Sequence, residues 1–253
     1  MSIDLNADLG ESFGIYVIGD DEALMPAITS ANIAAGFHGG DPTVLRRTIR
    51  LAARHGVAIG AHPSFPDLAG FGRREMHLPE WEVEDAVLYQ IASVAGVAKA
   101  EGASLRHVKP HGALYNMAAR DAVLAAAIAR AIVAYDRSLA LFAPPNSALA
   151  TAGTSAGLRI VREGFADRAY ESSGWLVPRS VHGAVLDDDD AAARQAVQLA
   201  VNGEVVSLDG SAIPMPVETI CIHGDAPGAA RRAARIRAAL EAASVIVAAP
   251  FVS

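Results

Sequence analysis

A single cysteine, Cys221, stands among the 253 residues of this chain. That excludes an internal disulfide and fits a reducing compartment. Positive charge is scarce as well: 21 Lys and Arg against 28 Asp and Glu leave a net charge of −7, and no basic stripe forms. Nucleic acid is therefore a poor partner, and so is an anionic membrane. No uncharged apolar run reaches membrane-spanning length. The opening residues, with Asp4 and Asp8, lack the basic-then-apolar order of a secretory leader. The expectation is a cytoplasmic protein. Three catalytic signatures are missing too. Without G-x-x-x-x-G-K-[ST], any ATP site is not a P-loop. Without G-x-S-x-G or a Cys–His pair, a covalent acyl mechanism is disfavoured. Without H-E-x-x-H, a metal site has no tight ligand spacing behind it.

Apolar sequence is abundant, at 52% of the chain, and it comes in short runs that close on an ionisable residue and a turn. Four runs end on histidine followed by Gly or Pro: Phe37-His38-Gly39-Gly40, Ala61-His62-Pro63, Pro110-His111-Gly112 and Ile222-His223-Gly224-Asp225. The opening stretch, Ile3 to Glu11, has the same form with carboxylates. Such runs read as strands ending in turns. Ionisable groups at the ends of separate strands are how a parallel α/β fold assembles an active site.

Strands are predicted near 2–7, 30–36, 57–61, 105–109, 139–143, 158–163, 204–208, 218–222 and 245–249. Helices are predicted near 20–29, 42–55, 79–101, 120–134, 145–156, 189–202 and 226–243. Asp41-Pro42 opens one helix with Pro at its first position, and His55-Gly56 closes it. Asp187 to Asp190 reads as a solvated helix N-terminus rather than a metal cluster. The alternation implies βαβ units and a parallel sheet. With no linker or repeat to divide it, the chain reads as one domain over 1–253, with a loop or small hairpin excursion at about 164–217 where glycines and prolines break the rhythm.

Period two decides which side chains share a face. Asp4, Asn6 and Asp8 share one face of the first strand; Asn32, Ala34, Gly36 and His38 share one face of the second. Leu105, His107, Lys109 and His111 lie together on the fourth, and Thr219, Cys221, His223 and Asp225 on a later one. An ordinary buried parallel strand is apolar on both faces. Here one face is apolar, for covering helices, and the other turns polar towards its end. The arrangement predicts an α/β fold, a (β/α) barrel of seven or eight parallel strands with polar groups converging at its C-terminal mouth.

Long motifs in this chain resemble the LamB/YcsF family, the A-subunits of bacterial ATP-hydrolysing 5-oxoprolinase. They are Ile3 to Glu11, Ser30 to Asp41, Gly56 to Asp67, Arg106 to Gly112 with Leu114-Tyr115-Asn116, Phe165 to Arg168, Leu176 to Arg179 and Cys221 to Asp225. The family pattern carries Cys where this chain has Ala35, which argues against a nucleophilic thiol there. The resemblance implies a barrel related to polysaccharide deacetylases. It also implies a complex with subunits B and C that uses ATP to open the lactam of 5-oxoproline (pyroglutamate) to L-glutamate. Homo-oligomerisation is compatible with it.

Opening an unstrained lactam needs a base for water, cations for a phosphate or oxyanion, and an acid for the departing nitrogen. His62 and His111 are candidates as metal ligands or acid/base groups, with His38 and His223 behind them; loop bracing is the alternative for all four. Asp8 and Glu11 are the carboxylates best placed for a metal or for activating water. A divalent ion is expected on Asp8, His62 and His111, its identity open. Lys109, in an apolar strand, either pairs with Asp8 or serves substrate or phosphate, the second being preferred. Asn6, Tyr115 and Asn116 are expected to line the pocket, with His38 and His223 at the substrate. Arg168 and Arg179 suit its carboxylate. Asp41 and Asp225 suit helix caps, and His55, His77 and His182 read as structural. Two rival readings are a free-standing metal-dependent amidohydrolase or carbohydrate deacetylase and a non-catalytic binding component; so many strand-end charges disfavour the latter.

Overall fold

In the computed structural model, which describes residues 1–251, six of the predicted strands run parallel in chain order. They are β1 (Ser2–Leu9), β2 (Ser30–Ala34), β3 (Ala58–His62), β4 (Leu105–Val108), β5 (Ala140–Ala143) and β6 (Arg159–Phe165). The segment expected as a seventh strand, 204–208, does not join them. Instead β7 (Glu204–Val206) folds back antiparallel on β8 (Ala212–Pro214) outside the barrel, where Pro214 and Pro216 can donate nothing to a longer ladder. β9 (Thr219–Ile222) then pairs with both β6 and β1 and closes the ring. Seven strands make the barrel. The last candidate shrinks to β10 (Ile246–Val247), which pairs only with Ser2 and Ile3 at the foot of β1.

The helices follow the predicted punctuation: α1 (Asp21–Leu24), α2 (Pro42–His55), α3 (Glu80–Ala100), α4 (Gly112–Ala118), α5 (Ala122–Tyr135), α6 (Ala148–Ser155), α7 (Asp189–Asn202) and α8 (Ala229–Ala242). Asp41 caps α2, accepting from the amides of Thr43 and Val44 at 2.8 and 2.9 Å, as its place before Pro42 predicts. The acidic run also serves a helix start: Asp188 caps α7, and Asp189 pairs with Arg231 and Arg232 of α8. The helix expected over 20–29 is only one turn, because Pro26 converts its continuation to a 3₁₀ turn, Met25–Ala27. Helix α4 escapes the sequence reading, being two turns opened by the His111-Gly112 pair. Among the described residues no helix is long and apolar enough to cross a membrane.

One continuous apolar shell, including Leu5, Leu9, Ile33, Ile49, Val87, Ile91, Ile128, Leu141 and Ile236, fills the space between barrel and helices. The barrel interior is different. Register brings Asp8 beside Asn32, Asn32 beside Gly60, and Gly60 beside His107, so the polar faces of four strands meet inside. Polarity reaches the floor rather than only the strand ends: Asp4 is buried and accepts from the hydroxyls of Thr29 (2.6 Å), Ser30 (2.8 Å) and Thr219. A small apolar plug of Ala140, Phe142 and Val161 completes the interior, with Phe142 stacked on His107 at 4.2 Å.

Two expectations test this interior. Gly60 is glycine because the His107 ring occupies the place of a Cβ. Gly60→Ala should cost about 1–3 kcal/mol by overpacking, read as a lowered midpoint in urea; an unchanged midpoint would mean His107 moves freely. Burial raises the Asp4 carboxyl to about 6 against three hydroxyl hydrogen bonds that pull it down. A raised folded-state value means stability that is full below the unfolded value, near 4, and lost as pH rises through about 6. The Asp4→Asn variant lacks this proton linkage. It should therefore gain on the native chain between pH 4 and 7, by on the order of 1–3 kcal/mol in unfolding free energy. A difference flat with pH would show that Asp4 is not desolvated.

Candidate active site

The C-terminal mouth of the barrel opens into a cavity of about 610 Å³ lined by Asp8, His62, Lys109, His111, Glu163 and His223, among others. Each strand delivers its last residues there. Glu11 follows β1, His38 follows β2, His62 ends β3, and Lys109 and His111 follow β4. Glu11, His38, His62 and His111 converge so that one donor atom from each lies within 4.8 Å of the others. All four are buried. The rings of His38 and His111 stack in parallel at 3.8 Å, and Phe71 meets both edge-on.

Backbone carbonyls set the histidine tautomers. His62 Nδ1 lies 2.7 Å from the carbonyl of Lys109, and His111 Nε2 lies 2.8 Å from that of Phe71. A carbonyl only accepts, so both of these nitrogens carry protons. The opposite nitrogens, His62 Nε2 and His111 Nδ1, face each other at 2.9 Å. Two lone pairs at that distance repel unless a positive charge sits between them: a proton on one ring or a metal ion held by both. Burial first, and then the neighbouring imidazoles, push His38 and His111 well below the usual range. Burial and the Asp8 charge push Glu11 well above it. Gly72, left-handed at φ 64, closes the loop over this cluster; a Cβ there would meet both His111 and His38 at 2.8 Å. The α3 residue Gln90 anchors the start of that loop through both backbone groups of Ser64, each at 2.9 Å.

Beside the imidazoles lies a second, charged network. Lys109 Nζ contacts Glu163 Oε1 (2.9 Å), Cys221 Sγ (2.9 Å), Asp8 Oδ1 (3.0 Å) and Asn6 Oδ1 (3.2 Å). Burial alone would lower the Lys109 pKa, but Asp8, Cys221 and Glu163 outweigh it and hold the ammonium well above the usual value. Burial likewise opposes ionisation of Asp8, and His62 and Lys109 overcome it, keeping that carboxyl well below its usual range. Asp8 Oδ2 stands 3.4 Å from His62 Nε2 and so links the two networks.

At the rim, His223 Nδ1 donates to Asp167 at 2.9 and 3.1 Å, and its backbone amide reaches the same carboxylate at 3.1 Å. His223 holds Asp167 down at about 2 although burial opposes it. Its Nε2 is then the unprotonated nitrogen at the cavity wall.

Several expected positions change. Asp8, expected as a ligand with His62 and His111, turns to Lys109 and Asn32, and Glu11 and His38 complete the imidazole cluster instead. His38, expected at the substrate, is buried behind Glu11 at 3.0 Å. Lys109 spends its donors on protein acceptors and is not free for a phosphate. Arg168 spends Nε on the carbonyl of Ala184 and Nη2 on that of Val177, so it braces the loop rather than offering a bidentate fork. Arg179 stays at the rim, without a hydrogen-bond partner among the described residues. Tyr115 and Asn116 on α4 line the cavity, as does Lys109, while Asn6 lies below it. Asp225 pairs with Arg73 at 2.6 Å and caps nothing.

Sequence reasoning missed Glu163, Asp167, Asn32 and Arg73. Glu163 had a signal: it alternates with Val161 and Phe165 on the inward face of β6, but ending that strand at 163 leaves the charge looking like a terminus. Asp167 sits in the Phe165–Arg168 motif, one residue before the arginine chosen from it. His77 is exposed; His77→Ala should leave both unfolding midpoint and turnover within error, and a large kinetic loss would undo its structural reading.

The LamB/YcsF family description matches residues 3–252. The chain belongs to the LamB/YcsF family. It is 58% identical to the 5-oxoprolinase A-subunit of Symbiobacterium thermophilum over 98% of this chain and 95% of that one. The 5-oxoprolinase A-subunit of Methylococcus capsulatus is 55% identical over 98% and 95%. A crystal structure of the lactam utilization protein from Thermus thermophilus superposes with a TM-score of 0.93 at 49% identity, covering 98% of this chain and all of that one. A putative cellobiose-phosphate cleavage protein from Enterococcus faecalis, at a TM-score of 0.55, 14% identity and coverage of 98% and 96%, shares the fold.

Proposed function

We propose that this chain is the A-subunit of an ATP-dependent 5-oxoprolinase, acting in the cytoplasm with subunits B and C. The assembly converts 5-oxoproline, water and ATP to L-glutamate, ADP and phosphate. The observation that carries this reading is one cavity in which a four-donor imidazole–carboxylate cluster meets the buried Asp8–Lys109–Glu163 network. Full-length relatives named for that activity support it.

The residues divide the chemistry. Asp8, ionised and linked to His62, accepts the proton of the attacking water. Lys109, permanently charged, stabilises negative charge that grows nearby and fixes the orientation of both carboxylates. His223, held by Asp167, moves a proton through Nε2 to the departing ring nitrogen. ATP raises the reactivity of the ring carbon when its phosphoryl group is transferred to the amide oxygen. Arg179 at the rim suits the substrate carboxylate.

A divalent metal fits the cluster of Glu11, His38, His62 and His111. Three imidazoles and one carboxylate are a zinc-class donor set, and the opposed lone pairs of His62 and His111 need a cation. Bound there, such an ion supplies Lewis-acid polarisation and a more acidic water.

The test is glutamate and phosphate release from 5-oxoproline plus ATP, for the chain alone and with subunits B and C. Release only in the mixture supports the reading. Release of acetate or amine from amide substrates by the chain alone, without ATP, would replace it with a free-standing amidohydrolase.

A further inference from the structure

Two buried polar atoms at the cavity wall have no partner: Glu163 Oε2 and the Tyr115 hydroxyl. Glu163 is 1% exposed and Tyr115 4%. The other oxygen of Glu163 is fully engaged, accepting from Lys109 Nζ and Asn6 Nδ2 at 2.9 Å each, so the carboxylate cannot swing to satisfy Oε2 without breaking that pair. Tyr115 is carried by α4, with its ring edge-on to Phe165 at 5.9 Å. Its hydroxyl adjoins the Glu163 carboxylate without the geometry of a hydrogen bond between them. Burial, and then that carboxylate, push the phenol well above its usual pKa, so it remains a neutral O–H donor. An unpaired buried donor or acceptor costs about 1–3 kcal/mol. A side-by-side pair of opposite kind is matched by a ligand edge carrying a donor and an acceptor together.

We infer that Glu163 and Tyr115 read the cis-amide edge of the lactam, the carboxylate accepting from the ring N–H and the phenol donating to the ring carbonyl. A five-membered ring forces the amide cis, so N–H and C=O project on the same side. A trans open-chain amide projects them on opposite sides and cannot meet both residues. A lactone keeps the carbonyl but replaces N–H with an oxygen, which sets acceptor against acceptor at Glu163. The pair is therefore a specificity device for small cyclic amides. The inference rests on the 5-oxoproline reading above.

The test uses the assembled complex with ATP and two substrates: 5-oxoproline and its lactone counterpart, 5-oxotetrahydrofuran-2-carboxylate. The native complex should prefer the lactam by about 100-fold or more in kcat/KM, the scale on which a site built for an N–H rejects a substrate that lacks it. Glu163→Gln keeps an oxygen for Lys109 and Asn6 while its amide can donate to the lactone ring oxygen. The lactam-to-lactone ratio should fall at least about tenfold in this variant. Tyr115→Phe removes the donor to a carbonyl both substrates share, so both rates should fall by about tenfold with their ratio preserved. A ratio unmoved by Glu163→Gln, or Tyr115→Phe turning over both substrates at the native rate, would overturn the recognition role. If Glu163→Gln failed to fold, the Tyr115→Phe result would decide it. A native complex that leaves 5-oxoproline untouched would instead overturn the functional reading, and this inference with it.

Discussion

Lys109→Ala should leave the assembled complex without measurable glutamate release and make the chain less stable by about 3–5 kcal/mol. Both effects have one origin. Lys109 Nζ is the cation between Asp8 and Glu163, at 3.0 and 2.9 Å, and all three groups are buried. Removing it leaves two carboxylates facing each other across the space it filled, in surroundings that solvate neither. The stability loss is read from urea unfolding and the catalytic loss from glutamate release. The two are separable. Adding Glu163→Gln to the same chain removes one uncompensated charge and should recover about 1–2 kcal/mol, while turnover remains absent because the cation is still missing. A near-native rate in Lys109→Ala would show that the chemistry does not take place at this end of the barrel.

A second large effect is expected at the imidazole cluster. Zinc at about 100 times its dissociation constant should stabilise the chain by about 2.7 kcal/mol, visible as a melting temperature raised by about 5–10 °C. His62→Ala or His111→Ala should abolish the shift, because each removes one of the nitrogens that face each other at 2.9 Å. His77→Ala and His182→Ala, both at exposed positions, should preserve it. Metal binding should also release a proton, since the positive charge that separates those nitrogens in the metal-free chain is displaced. Calorimetry in two buffers of different ionisation heat measures that proton directly. No stabilisation by zinc, cobalt or manganese would reduce the cluster to a hydrogen-bonded imidazole stack.

The sequence by itself determined the parallel barrel and the end of it that carries the chemistry. The physical reason is local: strand alternation and helix punctuation depend on neighbours a few residues away. Asp4, Asn6 and Asp8 share the inward face of β1 because a strand has period two. Asp41 caps α2 because its side chain reaches amides two and three residues on. Tertiary structure decided what these groups do to one another. Glu11, His38, His62 and His111 are far apart in the chain, and only the register of β1 through β4 brings their donor atoms within 4.8 Å. Glu163 meets Lys109 across the barrel, a partnership no spacing encodes. Arg168 was equally suited by its chemistry to a substrate clamp or a brace; the carbonyls of Ala184 and Val177, positioned by the folded loop, make it a brace. Strand number was settled in the same way. Residues 204–206 and 246–247 have strand character, but once β9 pairs with both β6 and β1 the ring is closed, and no open edge remains for an eighth full strand.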